Sequence, residues 1–219
     1  MSATTRWSRA ERAGRGAGGP DRRRGPDRRP GPARSLATGL LALAAGFFAL
    51  TLPLAAPAHH AAVAAPPLPP AAAAQAPGLA PQGGGEMRVL GFLVYDGWYW
   101  ATGHDWTLEK PYALDLVYHR KLSGASIAER SVQEIARLGV AGPDELARWG
   151  ELMRGIFPDV VAGDRLTGLS LPSGTVRFFG NGKPIGEIAD PAFARAFFGI
   201  WLDPKTSRAD YRARLLGRQ

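Results

Sequence analysis

The chain has 219 residues, a formal net charge of +8 and no cysteine. That length accommodates one domain with residues to spare, and an apolar content of 45% excludes wholesale disorder. The missing cysteines exclude a disulfide framework, a thiolate zinc site and a cysteine nucleophile.

The charge is unevenly spread. The first 35 residues hold ten arginines against three acids (Glu11, Asp21 and Asp27), so they carry seven of the eight net charges. A basic chain invites a nucleic-acid partner. Here only Trp7 accompanies the arginines as a stacking residue, and the remaining 184 residues are close to neutral. No nucleic-acid partner is expected. Residues 1–35 read as a disordered basic n-region. They run into 36–54, LATGLLALAAGFFALTLPL, nineteen residues without a charge. This length approaches that of a membrane span. Ala56-Pro57-Ala58 then offers small residues at the −3 and −1 positions of a cleavage site. Residues 36–58 therefore read as a secretory signal or an uncleaved anchor, with membrane contact through 36–54 at least during export. Both alternatives put the rest of the chain in the periplasm or on the outer face of the inner membrane.

Residues 59–85 are mostly Ala, Pro and Gly, and 12 of the 19 prolines precede residue 86. The stretch reads as a linker, flexible at Gly83-Gly84-Gly85. The domain boundary is placed at Glu86, which leaves 86–219 to fold.

Within that body, 87–101 is dense in Val, Leu, Phe, Tyr and Trp and predicts one or two strands. Residues 112–121, YALDLVYHRK, alternate and predict another. Ser126 and Glu129 form a capping-box pattern and Gly139 a stop, so a helix is expected over 126–139. Pro143, followed by Asp144 and Glu145, starts a second helix, with a stripe of Leu146, Trp149, Met153, Ile156 and Phe157. Strands are expected at 165–171, 175–179 and 183–188, the last two joined at Asn181-Gly182, a strong hairpin signal. Asp190-Pro191 begins a helix that presents Phe193, Phe197, Ile200 and Trp201. A last helix starts at Ser207 and stops at Gly217. The order β-β-β-α-α-β-β-β-α-α segregates strands from helices and argues α+β, an antiparallel sheet with helices on one face.

Period 2 puts Leu93, Tyr95, Gly97 and Tyr99 on one face, and Leu114, Leu116, Tyr118 and Arg120 on one face of the next strand. If those faces meet in a cleft, the phenols and the guanidinium can bind a carboxylate or phenolate in an apolar pocket. Arg88 is a second candidate cation. The plainer alternative is cross-strand packing of the tyrosines. Trp98, Trp100 and Trp106 are candidates for a cavity wall or for core packing. His59, His60, His104 and His119 have no ligand spacing, so no metal is assigned. No hydrolase or phosphate-loop pattern is present and no cofactor is expected.

Residues 163–206, GDRLTGLSLPSGTVRFFGNGKPIGEIADPAFARAFFGIWLDPKT, resemble the C-terminal half of the bacterial chalcone isomerase-like family. VLGFLVYDGWYWA (89–101) and PYALDLVYHRKLSG (111–124) extend the resemblance over most of 86–219. It implies an open-faced antiparallel β-sandwich with helices on the large sheet. It also implies a small amphiphilic ligand, a fatty acid or flavonoid-like molecule, bound without catalysis. The alternatives are an isomerase, or intramolecular lyase, acting on an enone, and a membrane-associated scaffold for a protein partner. The arginine that catalytic and fatty-acid-binding relatives share falls near Gly85 or Glu86, with Arg88 the nearest base. Tyr95 falls where plant enzymes carry a catalytic threonine.

Overall fold

The computed structural model describes residues 64–218. The basic n-region, the apolar segment 36–58, and His59 and His60 lie outside the described residues. Six strands form one antiparallel sheet in chain order: β1 (Ala80–Val89), β2 (Phe92–Ala101), β3 (Tyr112–Tyr118), β4 (Arg165–Ser170), β5 (Thr175–Gly180) and β6 (Lys183–Ala189). A short helical turn α1 (Pro70–Ala73) precedes them. Helices α2 (Gly124–Leu138) and α3 (Pro143–Ile156) are inserted between β3 and β4, and α4 (Pro191–Leu202) and α5 (Ala209–Leu215) follow β6. The class is α+β, with the open sheet carrying helices on one face. Among the described residues no helix is long and apolar enough to cross a membrane.

Alternation along the strands separates two cores. Tyr99, Tyr112, Leu114, Leu116, Tyr118 and Phe178 face the helices. Trp98, Trp100, Ala113, Leu169 and Phe179 face the other way, where Leu68, Ala72 and Ala76 cover them. The stretch 64–85 is therefore not a linker, and the boundary at Glu86 is corrected. Its alanines and prolines lack long side chains, so the segment lies close against two tryptophans. The first strand begins six residues before Glu86, and the glycine triplet is built into it. A Cβ on Gly83 would sit 2.1 Å from the Arg214 carbonyl oxygen, and one on Gly84 would sit 2.3 Å from the Trp98 ring. The triplet lets β1 pass tightly between α5 and β2.

The helix ends follow local chemistry, with one shift. Ser123, not Ser126, caps α2: its Oγ accepts from the Ser126 N–H at 3.1 Å. The helix starts early because Gly124 fits against the Phe157 carbonyl, where a Cβ would lie 1.9 Å from the oxygen. Gly139 ends the helix at φ 69°. Glu145 accepts from the Gly142 N–H at 3.0 Å at the start of α3. Asn181 and Gly182, at φ 48° and 79°, make the expected hairpin turn. Asp164 accepts from the Val161 N–H and the Asn181 side chain, so Gly163-Asp164 is a turn.

Asp190 joins two helices. Its Oδ1 accepts from the N–H groups of Ala192 and Phe193, capping α4, and its Oδ2 accepts from Arg148 and from Trp149 Nε1 of α3. Burial pushes this carboxyl up, but the bonds from Arg148, Trp149 and the two N–H groups outweigh burial and hold it below the ordinary carboxylate value.

Two outcomes follow for stability. Gly83→Ala should cost about 1–3 kcal/mol and lower Tm by roughly 2–4 °C for each kcal/mol, measured by thermal melting; an unchanged Tm would mean that the segment is a loose linker after all. Asp190→Ala should cost about 2–3 kcal/mol in urea unfolding near neutral pH. Because the native carboxyl titrates below its unfolded value of about 3.9, its contribution is complete above that pH and disappears as pH falls through the lowered native value. The difference between wild type and Asp190→Ala should shrink in that acid range.

Candidate functional site

A cavity of about 550 Å³ lies between the helix-facing side of the sheet and α2, α4 and the start of α5. Its wall is mainly apolar, from Met87, Leu114, Leu116, Phe178, Phe197 and Ile200. It exists because β2 and β3 present alternating large side chains while α2 offers Ile127, Ser131 and Glu134 on the facing stripe. Four basic side chains also line it, Arg120, Lys121, Arg130 and Arg208, against Glu134 as the single acid of the lining. This excess of positive charge is local, since residues 36–219 have a net charge of only +1.

Three of the five candidate residues meet here: Tyr95, Tyr118 and Arg120 all line the cavity. The rings of Tyr95 and Tyr118 stand edge to face at 5.8 Å. Tyr95 Oη accepts from Trp201 Nε1 at 2.8 Å, which leaves its O–H proton available to a ligand. Burial pushes the Tyr95 phenol up to about 12, with the Trp201 bond opposing, so it stays a neutral donor. Burial raises Tyr118 as well, and neighbouring Tyr95 adds to the effect. Arg120 is exposed at the rim, its guanidinium 4.9 Å from the centre of the Phe92 ring.

Two candidates lie elsewhere. Arg88 is outside the cavity lining: it bonds Glu86 at 2.8 Å and donates to the Gly91 carbonyl at 3.2 Å. Met87 and Val89 take the inward positions on β1, and strand alternation turns Arg88 between them to the other face. Tyr99 continues the Tyr95 face but is cut off from the cavity. Tyr211 of α5 occupies the space over Gly97, where a Cβ would lie 2.3 Å from its hydroxyl. Tyr99 packs on Tyr112 at 6.2 Å and borders a separate recess of about 210 Å³. Trp98 and Trp100 face the opposite core, and Trp106 stands edge-on to Tyr112.

Arg130, Glu134 and Arg208 were not singled out from sequence. Arg130 pairs with Glu134, whose Oε2 also accepts from Ser207 Oγ at 2.9 Å. This ties the middle of α2 to the turn before α5. The available signal was the three- and four-residue spacing of Ile127, Arg130, Ser131 and Glu134, a polar stripe beside an apolar one. Arg208 carried no signal beyond its place in a predicted helix start. Among the described residues no cluster of His, Asp or Glu has a geometry that could hold a metal ion.

Comparison with known proteins agrees with this architecture. Residues 112–217 match the chalcone isomerase-like family. An uncharacterized protein of Haemophilus influenzae is 30% identical over 139 residues, which cover 63% of this chain and 68% of that protein. The crystal structure of a fatty-acid binding protein of Arabidopsis thaliana superimposes with a TM-score of 0.50 at 13% identity, covering 64% of this chain and 88% of that one. At that identity the likeness concerns the fold. Matched in sequence from β3 to the last helix and alike in overall fold, the chain belongs to the chalcone isomerase-like family.

Proposed function

We propose that this protein binds a single-headed anionic amphiphile, a fatty acid or a molecule of similar build, without catalysing a reaction on it. The observation that carries this reading is the pairing of an apolar cavity of about 550 Å³ with four basic side chains in its wall. The volume falls within the roughly 300–1,000 Å³ typical of small-molecule sites. The apolar wall takes a hydrocarbon tail, since burying it releases about 0.8 kcal/mol per CH₂. Arg120 and its neighbouring cations take the carboxylate, and the Tyr95 O–H gives a neutral hydrogen bond. The likeness in fold to a fatty-acid binding protein supports the same ligand class. We further propose that the chain is exported, on the strength of the basic n-region and the uncharged stretch 36–54, and that it acts in the periplasm or on the outer face of the inner membrane.

Lipid mass spectrometry of a denaturing extract of the purified full chain should find a fatty acid or related amphiphile in near-stoichiometric amount. An empty protein that closes a chalcone to a flavanone would overturn the binding reading in favour of an isomerase. In titrations with a long-chain fatty acid, Arg120→Ala should weaken binding by about tenfold, equivalent to ~1.4 kcal/mol, and Tyr118→Ala should weaken it further. Lys183→Ala, on the far edge strand, should leave it unchanged. Since the Tyr95 phenol titrates near 12, it stays protonated and affinity should be flat between about pH 6 and 9. A loss of binding within that range would exclude the phenol as a neutral donor.

A further inference from the structure

The tip of the β1–β2 hairpin has an unusual surface. Leu90 is 92% exposed, Phe92 61% and Val89 48%, so half of the six exposed large apolar side chains among the described residues fall within four positions. Leu90 and Gly91 turn the chain at φ 50° and 82°. A turn with two left-handed residues favours Asn or Gly at its first position, as at Asn181-Gly182. Leucine is strained there, and with 92% of its surface in water it gains little from the fold in return.

Cations surround this apolar tip. Arg88 donates to the Gly91 carbonyl at 3.2 Å, Arg208 donates to the Arg88 carbonyl at 2.8 Å, and the Arg120 guanidinium covers the Phe92 ring. Arg88 and Arg208 have carboxylate neighbours in Glu86 and Asp210. Arg120 and Lys121 have no ion-pair partner among the described residues. Exposed apolar side chains at the centre with basic side chains around them form the pattern of an interfacial anchor: the apolar part enters the boundary between headgroups and acyl chains, and the bases remain at the anionic surface. A second copy of this chain fits poorly, because it would bring arginines against arginines.

We infer that the hairpin tip formed by Val89, Leu90 and Phe92 docks on a bilayer surface that carries anionic lipid headgroups. All three side chains also border the cavity, so docking places the cavity mouth against the membrane. The contact goes beyond amphiphile binding and does not depend on it, because it is tested on vesicles whatever the cavity contains.

The protein has no cysteine, so Leu90→Cys, Phe92→Cys and Val140→Cys in the full chain each give one labelling site for an environment-sensitive NBD dye. Val140 is an exposed apolar residue after the far end of α2. A local dye is needed because 36–54 would bring its own membrane affinity. With vesicles of phosphatidylcholine and phosphatidylglycerol in equal parts, dyes at 90 and 92 should shift to the blue, brighten several-fold and be quenched by lipid-borne spin labels. With phosphatidylcholine alone the response should be several-fold weaker, and the dye at 140 should not respond. Adding Arg120→Glu to Leu90→Cys should remove most of the response. A water-like dye at 90 and 92 on a vesicle-bound chain would overturn the proposal, as would equal responses at 90 and 140 or an unchanged response in the Arg120→Glu background. A blue shift on concentrating the protein without vesicles would also overturn it, by assigning the tip to a second copy.

Discussion

The architecture depends on one ion pair whose carboxylate is fully buried and whose guanidinium reaches the surface. Asp115, in the middle of β3, is wholly shielded from water and receives two bonds from Arg165, Nε to Oδ1 at 2.7 Å and Nη2 to Oδ2 at 2.6 Å. Thr167 Oγ1 donates a third at 2.7 Å. Such a carboxylate is tolerable only when fully bonded. Burial still pushes Asp115 up, with Arg165 and Thr167 pulling against it. Arg165 also reaches the Pro67 carbonyl at 2.9 Å. The pair therefore joins two central strands to each other and holds the segment of 64–79 over the sheet. Arg177 adds a second tie, donating to Gln75 Oε1 at 2.5 Å.

Covering that face with a thin segment leaves the helices free to serve the other. A sheet with both faces apolar needs cover on both. Here the alanines and prolines of 64–79 close one side at short range. On the other side the helices stand off far enough to leave a cavity open at the β1–β2 hairpin. The cavity is bounded along the strands by Tyr211, which fills the space above Gly97. Its hydroxyl donates to the Gly85 carbonyl at 3.2 Å, so the glycines of β1 and β2 and the last helix set the end wall together.

Much of this was legible in the chain. Strand alternation in 112–118, the Asn181-Gly182 turn and the Asp190-Pro191 helix start are local signals, and local physics decides them. The pairing of Tyr95 with Tyr118 was also legible, because period 2 puts them on matching faces of adjacent strands, with Arg120 two residues beyond the end of β3. The role of 64–85 was not. Ala, Pro and Gly have the composition of a linker, and only the neighbouring Trp98, Trp100 and α5 make a close-fitting layer of them. Tyr99 failed for a related reason: its strand face was right, but a residue from the far end of the chain divides that face in two. Arg208 belongs to the same class, since its place at the cavity depends on where α5 lands.

The Asp190 clamp has a mechanical consequence. One carboxylate caps α4 and grips α3, so α3 braces the α4 wall of the cavity, and the two helices should move as a unit and resist local opening. The rim at β1 is held differently: Tyr211, Arg208 and Arg214 donate to the carbonyls of Gly85, Arg88 and Glu86. The two sides of the cavity are therefore braced by different helices, α4 by α3 and the β1 rim by α5 with its leading turn. A change that loosens α5 would therefore free the β1 rim while leaving the α3–α4 pair in place.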